Sequence, residues 1–358
     1  MFKIFHHSPD GGAVGLYRVK QPVKFCAPQL LKDNIELTTN SYFGLEHDAF
    51  IFHGIPKPHF LPALNDIMKA NKKFIVSLDD DVYNVQDWNP AKPSYTDEAL
   101  VTLDWMLSKC HAVVVSTDYL EYAIKEKTKS PIYVLSNLID ASLWNKHERD
   151  IPNERVRIVW PGSVNHSGDL LEIVDAVETL IEEYDEKIQF LFWGDLPEEF
   201  SEYVRIRGSN LAAFVPKAKY RNKVGLIEMV PLDDYPQTFI DIQPDICIAP
   251  LEESTFNLSK SHIKWLESTL AGGAFVCSNL PPYRFTTGLR VNPGHRQTWV
   301  THLRELIESP KLRDDLVKKS TARVMRWNTW QNATGMLPDG TTLGGVNRWL
   351  DFYRGLAS

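Results

Sequence analysis

Short apolar runs alternate with longer amphipathic stretches along most of the chain. In the first half the apolar runs predict strands at Phe2–Phe5, Ala49–Phe52, Phe74–Leu78, Ala112–Ser116 and Ile132–Leu135. Helical periodicity fills the intervals around Val14–Lys32, Phe60–Asn71, Tyr95–Ser108 and Thr117–Lys127. A polar segment from Asn145 to Arg155, with Pro152 inside it, interrupts the pattern and reads as a linker. The alternation then restarts. Strands are expected at Val156–Trp160, Ile188–Trp193, Gly225–Val230, Ile246–Ala249 and Ala274–Ser278, and helices at Leu170–Tyr184, Ser259–Ala271, Gln297–Glu308 and Pro310–Val324. After a Gly/Pro-rich stretch from Gly335 to Gly345 comes a last helix. Its Trp349, Phe352, Tyr353 and Leu356 fall at i, i+3, i+4 and i+7, one apolar face that needs a partner.

Alternating strands and helices at this spacing mean βαβ units and parallel sheets. The expectation is an α/β protein of two doubly wound domains, residues 1–150 and 151–330. Residues 331–358 would form a helix crossing back to the first domain. Each half opens with a strand, a glycine-bearing turn and a helix: Phe5 to Gly11-Gly12-Ala13-Val14-Gly15, and Trp160 to Gly162-Ser163 with His166 to Asp169. Ligands of doubly wound sheets bind at the carboxyl ends of the strands, so two such domains face to face would make a two-substrate cleft.

Composition narrows this only a little. With 358 residues, 43% apolar and 24% charged, the chain is an ordinary globular one, long enough for two cores. A net charge of −7 argues against a broad non-specific nucleic-acid surface. Cys26, Cys110, Cys247 and Cys277 are widely spaced, without the pairing of a zinc site or a disulfide framework. No apolar run is long enough to span a bilayer, and Met1-Phe2-Lys3-Ile4-Phe5 enters a strand directly without a signal-peptide pattern. A cytoplasmic location without integral membrane association is the expectation.

The segment from Asp245 to Tyr283 carries the clearest chemistry. A strand ends in Pro250-Leu251-Glu252-Glu253, a loop with Phe256 and Asn257 follows, and then a helix bears Lys260, Lys264 and Glu267. At ~100° per residue, Lys264 and Glu267 lie about 40° and 20° to either side of Lys260, so all three would share one face. A helix N-terminus with two lysines suits a diphosphate, and a carboxylate on the same face suits ribose hydroxyls. The same spacing also describes a solvated face with an i,i+3 ion pair.

The run Ile248-Ala249-Pro250-Leu251-Glu252, Phe256-Asn257, Lys260-Ser261-His262-Ile263-Lys264-Trp265-Leu266-Glu267, Ala271-Gly272-Gly273 and Cys277-Ser278 resembles the donor-binding segment of GT-B glycosyltransferases. It is most like the bacterial and phage branch of glycosyltransferase family 4. Gly12-Ala13-Val14-Gly15-Leu16-Tyr17-Arg18 and Pro161-Gly162-Ser163-Val164-Asn165-His166-Ser167-Gly168-Asp169-Leu170 extend the resemblance over most of the chain. It implies the GT-B fold and a nucleotide-sugar donor. Glu267 matches the second Glu of the family's Glu-x7-Glu pattern, whose implied role is to hold the ribose. Ser259 stands where the first Glu would be, and Ser163 and Gly168 lie near the places of the family's Arg and Lys. Lys260 and Lys264, with His166 and Arg18 as helpers, are therefore assigned to the diphosphate. Gly12, Gly15, Gly162, Ser163 and Asn257 complete the donor-binding set.

For the acceptor side the candidates are His53, which follows a strand, and Asp80 or Asp81, as orienting groups or base. Asp79-Asp80-Asp81 contains the D-x-D spacing of metal-dependent GT-A enzymes. The second Rossmann-like half argues against that role, so neither metal nor cofactor is expected. A charged turn capping the next segment is the plainer reading of the triplet. The implied reaction is transfer of a glycosyl group from a nucleoside diphosphate, UDP or another, with retention of configuration. The acceptor is either a glycan or envelope precursor or a hydroxymethylated base in phage DNA, which would have to be flipped into the cleft. A phosphorylase or epimerase of the same fold and a non-catalytic two-lobed binding protein are the alternatives. A NAD-dependent oxidoreductase would want G-x-G-x-x-G, and Gly12-Ala13-Val14-Gly15 has the wrong spacing.

Overall fold

The computed structural model describes residues 1–7, 12–39, 44–54, 61–144, 154–163, 166, 168–194, 197, 199–205, 212–331 and 345–358. Most of the expected linker, and all but the last residue of the Gly335–Gly345 stretch, lie outside these residues. So do Gly11, Val164, Asn165 and Ser167.

The first sheet holds β1 (Phe2–His7), β2 (Ile35–Thr38), β3 (Ala49–His53), β4 (Lys73–Leu78), β5 (Ala112–Val115) and β6 (Ile132–Val134), ordered β2-β1-β3-β4-β5-β6. All of its pairings are parallel. Such a sheet is covered on both faces, which is why its central strands read as continuous apolar runs. Ile4, Ile51, Ile75 and Val114 pack into one layer, and Phe5, Phe50, Phe52, Val76 and Val113 into the other.

The second sheet repeats the plan with β7 (Val156–Pro161), β8 (Ile188–Trp193), β11 (Val224–Ile227), β12 (Ile246–Ala249), β13 (Ala274–Ser278) and β14 (Leu289–Val291), ordered β11-β8-β7-β12-β13-β14 and again wholly parallel. Between β8 and β11 a separate antiparallel pair forms from β9 (Ser201–Arg205) and β10 (Ala212–Pro216). The doubly wound α/β class expected from the pattern is therefore the observed one. Strand order reverses around β1 in the first sheet and around β7 in the second, and each reversal opens a crevice at the strands' carboxyl ends.

Five elements lie outside the pattern: β2, β9, β10, β14 and a helix at Tyr235–Ile242. The edge strands β2 and β14 are short and place Glu36 and Arg290 between their apolar residues, so neither presents a continuous apolar run. The expected helix over Val14–Lys32 is three consecutive pieces, Ala13–Gly15, Leu16–Lys20 and Gln21–Leu30. The middle piece is a widened π turn, which brings Tyr17, Arg18 and Val19 in succession into buried positions.

The expected helix over Ser259–Ala271 is also divided. Ser254 caps a single turn, Thr255–Leu258, and the main helix runs only over Ile263–Ala271, with Gly272 closing it in a left-handed conformation. Lys260 therefore precedes the helix instead of sharing its face. Lys264 and Glu267 keep their i,i+3 relation within it.

The last helix, Gly345–Ala357, lies against Gln21–Leu30 on the first sheet's side, with Trp349, Leu350, Phe352 and Tyr353 in that core. Two strands of chain run side by side where the halves join. Ile139 bridges Thr329, and Trp330 Nε1 donates to Gln21 Oε1 at 2.8 Å. Among the described residues no helix is long and apolar enough to cross a membrane.

Candidate functional site

The loops after β7 and β12 meet at the second sheet's reversal point, and the donor candidates gather there. Asp169 is their hub. Fully buried, it accepts from the backbone N–H of Glu252 at 3.0 Å, from Asn257 Nδ2 at 2.7 Å and faces His166 Nδ1 at 2.8 Å. Burial raises its carboxyl to about 6 against those donors and the nearby Lys260 and Lys264. The same burial, with both lysines, holds His166 neutral, well below the usual histidine range. Asn257 also donates to the Glu252 carbonyl at 3.0 Å, and Ser278 Oγ accepts from the Leu251 N–H, so the loop after β12 is firmly fixed.

Lys264 is the group left over. Its Nζ is buried and makes no hydrogen bond among the described residues; it sits 5.2 Å from the centre of the Trp160 ring. Desolvation lowers its pKa to about 8, opposed by Asp169 and Glu267 and reinforced by Lys260. Gly162 is needed beneath it for a steric reason, since a Cβ there would come 2.1 Å from the same indole. Ser163, half-buried in the same turn, accepts from the His166 N–H at 2.9 Å. A buried ammonium on an aromatic face, without a hydrogen-bonding partner among the described residues, favours an anion beside it.

Glu267, one helical turn on, is buried with both oxygens engaged. Tyr17 donates to Oε1 at 2.6 Å from the first half of the chain, and Tyr235 donates to Oε2 at 3.2 Å. Burial nevertheless raises the carboxyl to about 7. Each oxygen retains a lone pair, so a vicinal diol can still be accepted there. Neither tyrosine was a sequence candidate. Tyr17 stood inside the first-loop motif without a role, and Tyr235 lies on a helix the pattern did not show.

The first half supplies the opposite wall. Lys260, half-buried, lies 3.8 Å from Asp80 Oδ1 across the cleft and against the Phe256 ring. Burial and the adjacent Asp79 raise Asp80's carboxyl, while Lys260 pulls it down. The three aspartates point to different partners. Asp79 faces Arg18 Nε at 3.9 Å and Asn137 Nδ2 at 3.3 Å. Asp81 accepts from Asn84 Nδ2 at 2.8 Å and the Tyr83 N–H at 3.3 Å, which makes it the cap of its own turn. Trp88 and Gln86, just beyond, both donate to Glu252 Oε1 and close the cleft. The Trp88 ring rests where a Cβ on Gly168 would stand, 2.3 Å away.

Arg18 does not join the donor lysines. It is fully buried, donates to the Leu135 carbonyl and to Asn137 Oδ1, and lies 5.0 Å above the Trp349 ring. The widened turn directs it into the first half's core, where it clamps the last helix. His53, at the end of β3, is buried against Ser77 Oγ at 3.0 Å, and desolvation with Arg18 and His7 lowers it to about 3. A base that weak does not take a proton from a hydroxyl at neutral pH. Gly12 is extended and Gly15 right-handed helical, so neither is held at a conformation only glycine can adopt.

With this geometry in hand, comparison with known proteins is informative at the level of fold. HepE of Anabaena, in a structure with UDP-glucose, superposes with a TM-score of 0.65 at 12% identity over 99% of this chain and 100% of its own. Sucrose-phosphate synthase of Thermosynechococcus elongatus gives 0.65 at 11% identity over the whole of both chains. The UDP-forming α,α-trehalose-phosphate synthase of Burkholderia xenovorans gives 0.56 at 12% identity over 94% of this chain and 78% of its own. The chain has the GT-B fold. No family model matches it, and no curated sequence is similar to it. In GT-B terms, the first sheet carries the wall with Asp80, and the second carries the buried lysine and Glu267.

Proposed function

We propose that this GT-B protein is a glycosyltransferase of the family 4 type that moves a sugar from a nucleoside diphosphate to an acceptor hydroxyl with retention of configuration. The observation that carries the reading is Lys264: a buried ammonium without a hydrogen-bonding partner among the described residues, one turn before a buried carboxylate. Lys264 and the turn at Gly162 and Ser163 would hold the diphosphate and stabilise the charge that develops as it leaves. Glu267 would receive the ribose hydroxyls, and Asn257 and Glu252 would border the sugar. Asp80 is the carboxylate placed to orient the acceptor, opposite Lys260. The three aspartates face three different partners, which supports transfer without a D-x-D metal. HepE's structure with UDP-glucose favours UDP as the nucleotide.

The test is calorimetric titration with UDP, GDP, ADP and NAD in EDTA and then with Mn²⁺. UDP binding in EDTA that disappears in Glu267→Ala and weakens in Lys264→Met is the expected result. Binding only with Mn²⁺, or of NAD alone, would overturn the reading.

A further inference from the structure

A second cavity of about 320 Å³ lies between the two halves, and none of the donor cluster formed by His166, Asp169, Lys264 and Glu267 lines it. Its floor is Ser116 and Thr117, just past β5, and Ser136, just past β6, so it occupies the ligand-binding edge of the first sheet. Its other walls are basic. Arg284, Arg323, Arg348 and Lys260 line it, against one acid, Asp118. That acid is already bonded to Arg284 Nη2 at 2.5 Å. Arg323 and Arg348, both half-buried, make no ion pair among the described residues. His262 also faces the cavity; it is near Asn328 Nδ2 at 3.0 Å, and burial with Arg323 lowers it to about 4, so it adds no charge. Lys260 joins this cavity to the transfer site, because it lines the one and faces Asp80 in the other at 3.8 Å.

We infer that this cavity is an acceptor subsite for a phosphate ester, gripped by Arg323 and Arg348 so that a hydroxyl elsewhere on the same molecule reaches Asp80. Two guanidinium groups without an acidic partner among the described residues make this wall positive, and their planar forks match phosphate oxygens in pairs. The volume admits a phosphorylated sugar or polyol but not a long chain. The assignment rests on the glycosyltransferase reading, and it deepens it by naming the acceptor's chemistry.

The experiment saturates the protein with UDP, so that the donor lysines are occupied, and then titrates glycerol 3-phosphate and inorganic phosphate by calorimetry. A parallel arm measures sedimentation with phosphatidylcholine vesicles containing phosphatidic acid. Binding of glycerol 3-phosphate that falls tenfold or more in Arg323→Gln/Arg348→Gln, with UDP affinity unchanged, supports a soluble phosphorylated acceptor. The same loss seen only with vesicles supports a lipid-borne phosphate. If the double variant does not fold, the two single variants are each expected to lose at least threefold. No phosphate or vesicle binding, or binding equal in the variants, overturns the subsite. UDP binding in that case leaves the donor reading standing, whereas phosphate binding without UDP binding removes the donor reading and with it the acceptor role, leaving only an anion site.

Discussion

Replacing Lys264 by methionine should raise the stability of the free protein while weakening its hold on the nucleotide. Burial lowers this lysine from 10.5 to about 8, which corresponds to roughly 3 kcal/mol spent on keeping the ammonium charged at neutral pH. Methionine fills a similar volume without that charge. It gives up the contact with the Trp160 face, worth about 0.5–2 kcal/mol. The net is a gain of about 1–2 kcal/mol, or a rise in Tm of roughly 2–6 °C. Binding moves the other way. Loss of one charged hydrogen bond to the diphosphate costs about 1.5–3 kcal/mol, a drop in UDP affinity of roughly 10- to 100-fold. Differential scanning calorimetry and isothermal titration on the same preparations read both quantities. A variant that is less stable and still binds UDP normally would refute the reasoning, because Lys264 would then be a structural residue.

Further outcomes follow from the same contacts. Lys264 sits near 8 in the free protein, so its ammonium is in place for UDP below that pH. Affinity should fall as the ammonium deprotonates above it, a decline titration calorimetry should find missing in Lys264→Met. Tyr17→Phe removes the donor to Glu267 Oε1 and one bond between the halves. It should lower stability by about 1–3 kcal/mol in urea denaturation. Truncation before Gly345 strips Trp349, Leu350, Phe352 and Tyr353 from the first core and leaves Arg18 without its aromatic cover. A fall in Tm of well over 5 °C is expected, and an unchanged melting curve would contradict the packing described.

The parts of this molecule that sequence reasoning reached are those set by local pattern. The central strands of both sheets are continuous apolar runs such as Ala112–Val115 and Ile246–Ala249, and their burial on two faces gives that signal directly. The edge strands β2 (Ile35-Glu36-Leu37-Thr38) and β14 (Leu289-Arg290-Val291) interleave charged residues with apolar ones and give no such run. Lys264, Glu267, Asn257, Gly162 and His166 are grouped in the sequence only through the resemblance to GT-B donor segments, and the structure joins them because β7 and β12 are neighbours in the second sheet. Arg18 and Lys260 were misplaced for local reasons the pattern does not encode. A widened turn rotates Arg18 into the core, and the turn that Ser254 caps at its start stops at Leu258, so the main helix begins at Ile263, after Lys260. Tyr17 and Tyr235 meet Glu267 only through tertiary structure, one of them across the cleft, and nothing in their spacing announces it.

The central claim is that a nucleoside diphosphate lies on Lys264 and Glu267. A crystal structure of the protein grown with UDP tests it most directly. The account predicts a diphosphate oxygen within hydrogen-bonding distance of Lys264 Nζ and the ribose hydroxyls on Glu267. UDP bound elsewhere, with Lys264 still bare above Trp160, would contradict it.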